Sequence, residues 1–257
     1  MERKARLLER LNEIGKGLES KDGALLLLGV GSAGTETARM DDYSDLDFFV
    51  IVKDGYKPRF IENLDWLEEV HPLAYAFPNT EAGCKILFED GLYGEYAVFE
   101  EEETPHISYW GGRVVWTHPK TAFTMPVCGN TPNIRKESLD HPLNEALTNL
   151  FVGLGRYARG EKLSAARFVQ SYAVDSILSI LHLVEQETDD FPDPFGNDRR
   201  IEKRFPRFAA LLPSMVTGYN RTPESALAIL AYLKSIYPVN RRIAQEIRAL
   251  ALTLLNA

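Results

Sequence analysis

The chain has 257 residues, of which 45% are hydrophobic and 26% charged, and this balance excludes a disordered, collagen-like or low-complexity polypeptide. With 29 basic and 37 acidic residues the formal net charge is −8. That charge argues against a protein that wraps nucleic acid, because phosphate neutralisation supplies most of such binding. It favours a cationic partner.

The cysteine content and the apolar runs predict a cytoplasmic protein with no membrane partner. Cys84 and Cys128 are too few for a disulfide framework. The first residues mix both charge signs and lack a long apolar core, which argues against a signal peptide. The longest apolar run, 24–30, is far shorter than the roughly 20 residues of a membrane helix. The oligomeric state is left open.

The first half of the chain alternates predicted helices and strands. A helix is predicted over 2–19, because leucines recur there at helical spacing. The apolar run 24–30 is typical of a buried strand. Residues 45–53 predict a second strand, since they are rich in aromatic and β-branched side chains. The remaining predicted elements of this half are a helix over 58–70 and strands over 72–77, 84–89, 94–100 and 112–117.

The composition changes after His118. Four prolines and little periodicity over 119–142 indicate a segment that crosses between domains. Beyond it, apolar residues recur at helical spacing, with a turn-rich loop over 189–196. We therefore expect a domain of mixed helices and strands over 1–120, followed by a helical bundle over 121–257 that includes a crossing segment over 121–142.

Two aspartates at the start of the second predicted strand indicate a metal site. Asp45 and Asp47 point to one face, about 7 Å apart along the strand, because strand side chains alternate. They repel each other and lead directly into an apolar run that must be buried. A hard divalent cation neutralises such a pair, and Mg²⁺ prefers one or two carboxylates plus substrate phosphates. The alternative is a solvated strand entry.

The pair Gly31-Ser32, directly after the first strand, predicts a phosphate-binding loop. A glycine there lets the backbone approach an anion closely. The following N–H groups and the Ser32 hydroxyl can donate hydrogen bonds to phosphate oxygens. A helix over 34–40 would add a favourable dipole at its N-terminus. One loop would then hold phosphates while the adjacent strand holds the metal.

Gly-Ser, twelve intervening residues and Asp-x-Asp on a strand resemble the signature of the DNA polymerase β-like nucleotidyltransferase superfamily. The context Tyr43-Ser-Asp-Leu-Asp-Phe48 is similar to its small-molecule branch, the bacterial nucleotidyltransferases that modify aminoglycoside or lincosamide antibiotics. The resemblance implies an α+β fold with a mixed-sheet catalytic domain over 1–120, ahead of the all-α bundle. It also implies two metal ions. Gly31, Ser32, Asp45 and Asp47 match the motif residue by residue.

The superfamily uses a third acidic residue on a later strand, and two positions could supply it here. Glu95, flanked by apolar residues on a probable central strand, is preferred as third catalytic and metal-binding carboxylate. Glu89 is the runner-up. Spacing alone does not decide between them, because a hairpin brings both strands close to the sheet centre.

The resemblance implies transfer of AMP, or another nucleoside monophosphate, from ATP or another NTP to a hydroxyl of a small molecule, with Mg²⁺ as cofactor. An antibiotic is one such acceptor, which would make the protein a resistance enzyme, and the charge of −8 favours a cationic one. Two other functions stay open. The chain could adenylylate a protein partner, as in toxin–antitoxin pairs, or be a non-catalytic module that binds nucleotides.

Overall fold

The computed structural model describes residues 2–256 and divides into two compact units, Met1–Pro132 and Asn133–Ala257. The first unit combines helices and strands, as predicted. In chain order it contains α1 (Arg3–Leu18), β1 (Ala24–Gly29), β2 (Leu46–Val52), α2 (Lys57–Glu62), α3 (Asp65–Glu68), β3 (Leu73–Pro78), β4 (Gly83–Phe88), β5 (Tyr93–Glu100) and β6 (Arg113–Thr117), with 3₁₀ turns at Gly31–Ala33, Thr37–Arg39 and Glu101–His106.

The strands of the described residues form one mixed sheet of six, in the order β3-β4-β5-β2-β1-β6. β2 pairs with β5 in parallel, and the other neighbouring strands are antiparallel. β2 therefore lies inside the sheet, between β1 and β5. This confirms the mixed sheet that the family resemblance implies.

Apolar residues cover both faces of the central strands. On one face, α1 buries Leu7, Leu11, Ile14 and Leu18 against a core that includes Phe48. On the other face, a smaller cluster around Leu28 and Ile51 is covered by the segment after β5. The spacing of the leucines along α1 is what places all of them on the sheet side of the helix.

Two predicted helices differ from the structure. Residues 34–40 hold only the short 3₁₀ turn Thr37–Arg39, so the predicted helix is absent. The helix predicted over 58–70 is split into α2 and α3, because Asn63 is extended (φ −126°, ψ 115°) and its side-chain oxygen accepts a hydrogen bond from the Asp65 N–H at 3.1 Å. An Asn side chain that accepts a hydrogen bond from the N–H two residues further on favours such a turn over a continuous helix.

The second unit is helical, as predicted. Its core packs around residues such as Leu147, Ile177 and Leu233, all of them buried. Its elements are α4 (Asp140–Ala158), α5 (Lys162–Ala166), a π-helical segment (Arg167–Tyr172), α6 (Ala173–Leu178), α7 (Leu181–Val184), α8 (Ile201–Arg204), α9 (Pro206–Ala209), α10 (Leu212–Met215), α11 (Thr222–Ile236) and α12 (Arg241–Leu255).

The boundary between the units falls inside the predicted crossing segment 121–142, twelve residues beyond the predicted end at 120. The first part of that segment packs on the sheet: Phe123 and Met125 contact the second apolar cluster, and the Gly112 N–H donates to the Val127 carbonyl at 2.6 Å. Among the described residues, both cysteine thiols are free. Within 2–256, no helix combines the length and apolar content that a membrane span requires.

Candidate active site

The two predicted metal ligands lie at the start of β2. Asp47 is the second residue of the strand and Asp45 directly precedes it, both half-buried. Leu46 and Phe48 point into the α1 side of the core, so Asp47 points to the opposite face. The Asp47 carbonyl accepts a hydrogen bond from the Val30 N–H at 2.9 Å, which fixes the end of β1 against β2.

Gly31 brings the loop after β1 into contact with the Asp47 side chain. Its φ of +58° is in the left-handed region, which favours glycine. A Cβ at this position would lie 2.8 Å from Asp47 Oδ2 and 3.6 Å from Asp47 Cγ. The bare backbone of the predicted phosphate loop therefore lies directly beside the predicted metal ligand.

Ser32 supplies a hydroxyl next to this contact. Only 5% of the residue is exposed. In the 3₁₀ turn Gly31–Ala33, the Ala33 N–H donates to the Val30 carbonyl and the Gly34 N–H to the Gly31 carbonyl. The N–H groups of Gly31 and Ser32 come before these bonded groups, as the first donors of any helical turn do.

Glu95 lies next to Asp47 across the sheet. β2 and β5 run parallel with Asp47 opposite Glu95, so both side chains project from one face at a strand spacing of about 4.8 Å. The register continues from Glu95 to Lys85 on β4 and from Lys85 to Phe77 on β3. One row of side chains therefore crosses four strands, from an exposed aromatic ring at the sheet edge to the Asp47 carboxylate.

A second row runs parallel to the first, through Tyr75, Leu87 and Tyr93. Continuing the β2–β5 register by one residue places Asp45 opposite Tyr93. Burial raises the pKa of the Tyr93 hydroxyl, its hydrogen bond to Glu95 adds to the shift, and the negative charge of Asp45 raises it further.

The Glu95 carboxylate is already paired. Its Oε1 accepts hydrogen bonds from Lys85 Nζ at 2.9 Å and from the Tyr93 hydroxyl at 2.8 Å. Burial alone would raise the pKa of Glu95, but these two donors outweigh it and hold the pKa below its usual value. The same hydrogen bond raises the pKa of the Lys85 ammonium. Glu95 is therefore ionised at neutral pH and neutralised by Lys85.

The three predicted carboxylates are not gathered into one cluster. In the part of the chain that the structure describes, no group of three or more His, Cys, Asp or Glu side chains is placed to hold a metal ion. The donor set of Asp45 and Asp47 still fits Mg²⁺, which needs only one or two protein carboxylates when substrate phosphates complete its shell. Glu95 would have to release Lys85 before it could serve as a third ligand.

Glu89 lies away from this site. β4 ends at Phe88, so Glu89 belongs to the exposed turn that follows, where its N–H donates to the Pro72 carbonyl at 2.9 Å. It is four residues, roughly 13 Å of strand, beyond Lys85, the β4 residue opposite Glu95. Of the two residues considered for the third carboxylate, the structure brings Glu95 to Asp47.

Sequence reasoning missed Lys85 and Tyr93, which bind Glu95, and the Gly111–Arg113 segment, which contacts the predicted phosphate loop. Tyr93 lies two residues from Glu95, and strand alternation would have placed both on one face. Lys85 could have been found only from the β4–β5 register. Gly111-Gly112 lies between Trp110 and Trp116, and nothing in that pattern indicates which residues the glycines contact.

No protein-family model matches this chain, and no curated protein matches it in sequence. The solved structures that are similar to it include three with a stated activity. An aminoglycoside 6-adenyltransferase from Bacillus subtilis is 16% identical, with a TM-score of 0.38, over 95% of this chain and 97% of its own. A spectinomycin adenyltransferase AAD(9) from Enterococcus faecialis, determined with ATP and spectinomycin, is 12% identical, with a TM-score of 0.31, over 96% and 98%.

The third is a STING-associated CdnE c-di-GMP synthase from Capnocytophaga granulosa, 12% identical with a TM-score of 0.32, over 98% of this chain and 79% of its own. Two of the three are adenyltransferases by name. With TM-scores below 0.5, these likenesses do not by themselves establish a family or an activity for this chain.

Proposed function

We propose that this protein is a metal-dependent nucleotidyltransferase that moves AMP, or another nucleoside monophosphate, from an NTP to a hydroxyl of a small molecule. The observation that carries the proposal is the contact between Gly31 and Asp47. Because of this contact, the loop that carries the Ser32 hydroxyl and the first N–H groups lies beside the Asp47 carboxylate, two residues after Asp45. Donors for phosphate and ligands for a cation meet at one point, as binding of a metal–triphosphate requires.

Asp45 and Asp47 would hold the divalent ions, with Ser32 and the Gly31–Ser32 N–H groups on the β- and γ-phosphates. When bound, the metal would neutralise the triphosphate and lower the pKa of the acceptor hydroxyl. The chain itself positions the reactants. Since Gly31 has no side chain, the phosphates can approach the backbone next to Asp47.

Glu95 has two possible roles in this reaction, as a further ligand or as the acceptor of the hydroxyl proton. Its position opposite Asp47 and its ionised state support both. A proton acceptor must lie within hydrogen-bond reach of the hydroxyl that attacks. The Tyr93 and Lys85 donors fix the Glu95 carboxylate on the face of the sheet that Asp47 shares.

The acceptor class follows from charge. The chain carries a net charge of −8, and two aspartates and a glutamate project from one face of its sheet. This distribution favours a polyhydroxylated cation, such as an aminoglycoside, over an anionic acceptor. Lys85 neutralises Glu95, so the excess negative charge available to a cation is that of Asp45 and Asp47.

A pyrophosphate-release screen tests the proposal, with Mg²⁺, each of the four NTPs and a panel of hydroxylated antibiotics, cationic and neutral. We expect release with at least one NTP and acceptor, together with a product heavier by one nucleoside monophosphate. Labelling of a co-expressed protein instead would indicate a protein acceptor. Mg²⁺-independent NTP binding without pyrophosphate release would overturn the enzyme in favour of a binding module.

Asp47→Asn is the decisive variant. It keeps the size of the side chain but removes the negative charge of a carboxylate that would hold the metal ions. Because those ions would neutralise the triphosphate, we expect a loss of roughly a thousandfold or more in the single-turnover rate. The melting temperature without metal should stay close to that of the wild type. Asp42→Asn is the matched control, because Asp42 is an exposed carboxylate in the preceding loop. An Asp47→Asn protein that melts early yet reacts normally would make Asp47 structural.

A further inference from the structure

Arg113, the first residue of β6, is hydrogen-bonded to the predicted phosphate loop. Arg113 Nε lies 3.2 Å from both the Ala33 and the Gly34 carbonyl oxygens, and Arg113 Nη2 lies 2.9 Å from the Ala33 oxygen. Arg113 pairs with Gly29 in the β1–β6 register, so its backbone is fixed to the strand that leads into the loop. Among the described residues of the first unit, Arg113 is the only side chain that donates a hydrogen bond to these two carbonyls.

Backbone contacts with Gly111, just before β6, also hold the loop. The Thr35 N–H donates to the Gly111 carbonyl at 2.7 Å. The approach is so close that a Cβ on Gly34 would lie 2.0 Å from the Gly111 oxygen, and one on Gly29 would lie 2.5 Å from the Ala33 oxygen. Gly111 itself has a φ of +64°, which favours glycine. The backbone of Gly34 therefore approaches Gly111, and that of Gly29 approaches Ala33, at distances that only glycine permits.

The direction of the peptide groups links these contacts to phosphate binding. In any helical turn the N–H groups point toward one end and the carbonyls toward the other. Arg113 binds the carbonyls at the far end of the Gly31–Gly34 turn, while the N–H groups of Gly31 and Ser32 begin the near end, beside Asp47. Fixing the carbonyls therefore fixes the direction of the donors.

We infer that Arg113 is a positioning residue for nucleotide binding: without touching the nucleotide, it holds the Gly31–Gly34 turn so that its donors face the triphosphate. This inference rests on the proposed function. The planar guanidinium is needed because it reaches two carbonyls at once from one side chain, and a lysine ammonium lacks that fixed fork.

The test compares Arg113→Lys, which keeps the charge and loses the fork, with Arg113→Met. Binding of Mg²⁺-ATP, of inorganic tripolyphosphate with Mg²⁺ and of adenosine is measured by calorimetry. We expect affinity for ATP and tripolyphosphate to fall about ten- to a hundredfold, because small misplacements of binding groups cost that much. Affinity for adenosine should not change. KM for ATP should rise with little change in kcat, the pattern of lost uniform binding.

Arg200→Lys is the matched control. Arg200 also holds a backbone carbonyl, that of Phe191, through Nε at 2.9 Å and Nη2 at 2.6 Å, but in the second unit. We expect it to lower stability without weakening tripolyphosphate binding. Amide hydrogen exchange gives an independent readout: Thr35 should exchange faster in Arg113→Lys and not in Arg200→Lys.

The outcomes separate this inference from the proposed function. If the wild type binds neither Mg²⁺-ATP nor tripolyphosphate, the proposed function fails. If the wild type binds them and Arg113→Lys binds them equally well, Arg113 does not position the loop. Equal losses for adenosine and tripolyphosphate, or an Arg113→Lys protein that is unfolded where Arg200→Lys is folded, would show that Arg113 serves the whole fold and would overturn the inference.

Discussion

The absence of a side chain at Gly31 allows the backbone of the loop to approach the Asp47 carboxylate. Gly31→Ala would add a Cβ 2.8 Å from Asp47 Oδ2 at a φ of +58°, so the substitution both strains the backbone and displaces the carboxylate. We expect a stability loss of about 1–2 kcal/mol from the left-handed conformation. We also expect loss of most nucleotidyl transfer and of Mg²⁺-dependent ATP binding, measured by thermal melting and calorimetry.

Gly55→Ala separates the two effects of that change. Gly55 has a φ of +83°, and a Cβ there would meet nothing within 4 Å. It should cost a similar amount of stability while leaving ATP binding intact. If Gly31→Ala binds Mg²⁺-ATP as Gly55→Ala does, the contact between Gly31 and Asp47 has no part in binding.

Lys85 sets the charge on the open face of the sheet. It neutralises Glu95, so Lys85→Gln should leave Glu95 free to attract a cation and should tighten Mn²⁺ binding in the absence of nucleotide, measured by electron paramagnetic resonance. Lys57→Gln is the control, because Lys57 pairs with Glu103 at the other end of β5. Unchanged or weaker Mn²⁺ binding in Lys85→Gln would argue that Glu95 lies outside the metal site.

At the scale of elements, the sequence predicts the bounds of individual strands. It does not predict contacts that depend on how strands distant in sequence pair. β2 is predicted over 45–53 and runs Leu46–Val52, because its pattern of apolar and β-branched residues is contained in the strand itself. The opposition of Asp47 and Glu95 depends on a parallel pairing between strands that are distant in sequence. The hydrogen bond from Arg113 to the Ala33 carbonyl likewise joins residues 80 positions apart.

The two wrong helix predictions have different causes, one local and one long-range. Apolar residues recur at helical spacing over 58–70, but Asn63 offers a side-chain acceptor that ends α2 and starts α3. The predicted helix over 34–40 fails for a different reason. Its first residues are held to β6 through Gly111 and Arg113, and those contacts replace helical hydrogen bonds.

In the second unit, a charge cluster ties the segment after α7 to α8. Glu187 accepts hydrogen bonds from Arg135 at 2.7 and 2.9 Å and from the buried Arg204 at 2.7 and 2.9 Å. Glu187→Gln would leave the Arg204 charge without its counter-ion, so we expect a loss of about 3 kcal/mol in the free energy of unfolding. Glu202→Gln, an exposed carboxylate on α8, is the control and should cost little.

The same cluster predicts a pH dependence. Burial alone would raise the pKa of Glu187, but Arg135 and Arg204 outweigh it and hold the pKa below its usual value. Its contribution to stability is therefore complete above the pKa of the unfolded chain and is lost as the pH falls through the lower folded pKa. Urea unfolding below and above pH 4.5 should show a smaller pH dependence in Glu187→Gln than in the wild type. Equal dependence would assign the acid sensitivity to other carboxylates.

At the scale of the whole molecule, the division at Pro132 predicts where the chain can be cut. Each unit has its own apolar core, which is the condition for a domain to fold alone. A chain that ends at residue 132 should keep its six strands and unfold cooperatively in urea. One that ends at 120, the boundary expected from composition, removes part of the packing on the sheet.

The difference between the two truncations follows from residues 121–132. Phe123 and Met125 cover the cluster around Leu28 and Ile51, and the Val127 carbonyl accepts the Gly112 N–H at 2.6 Å. Removing two large apolar side chains from a core costs about 2–5 kcal/mol each when they are fully buried, and these are partly buried. We therefore expect 1–120 to be less stable than 1–132 by at least about 2 kcal/mol, measured by urea unfolding followed by circular dichroism.

Because Gly112 precedes Arg113, the shorter chain should also expose the Thr35 amide to faster hydrogen exchange. Equal stability and equal exchange would place residues 121–132 outside the first unit.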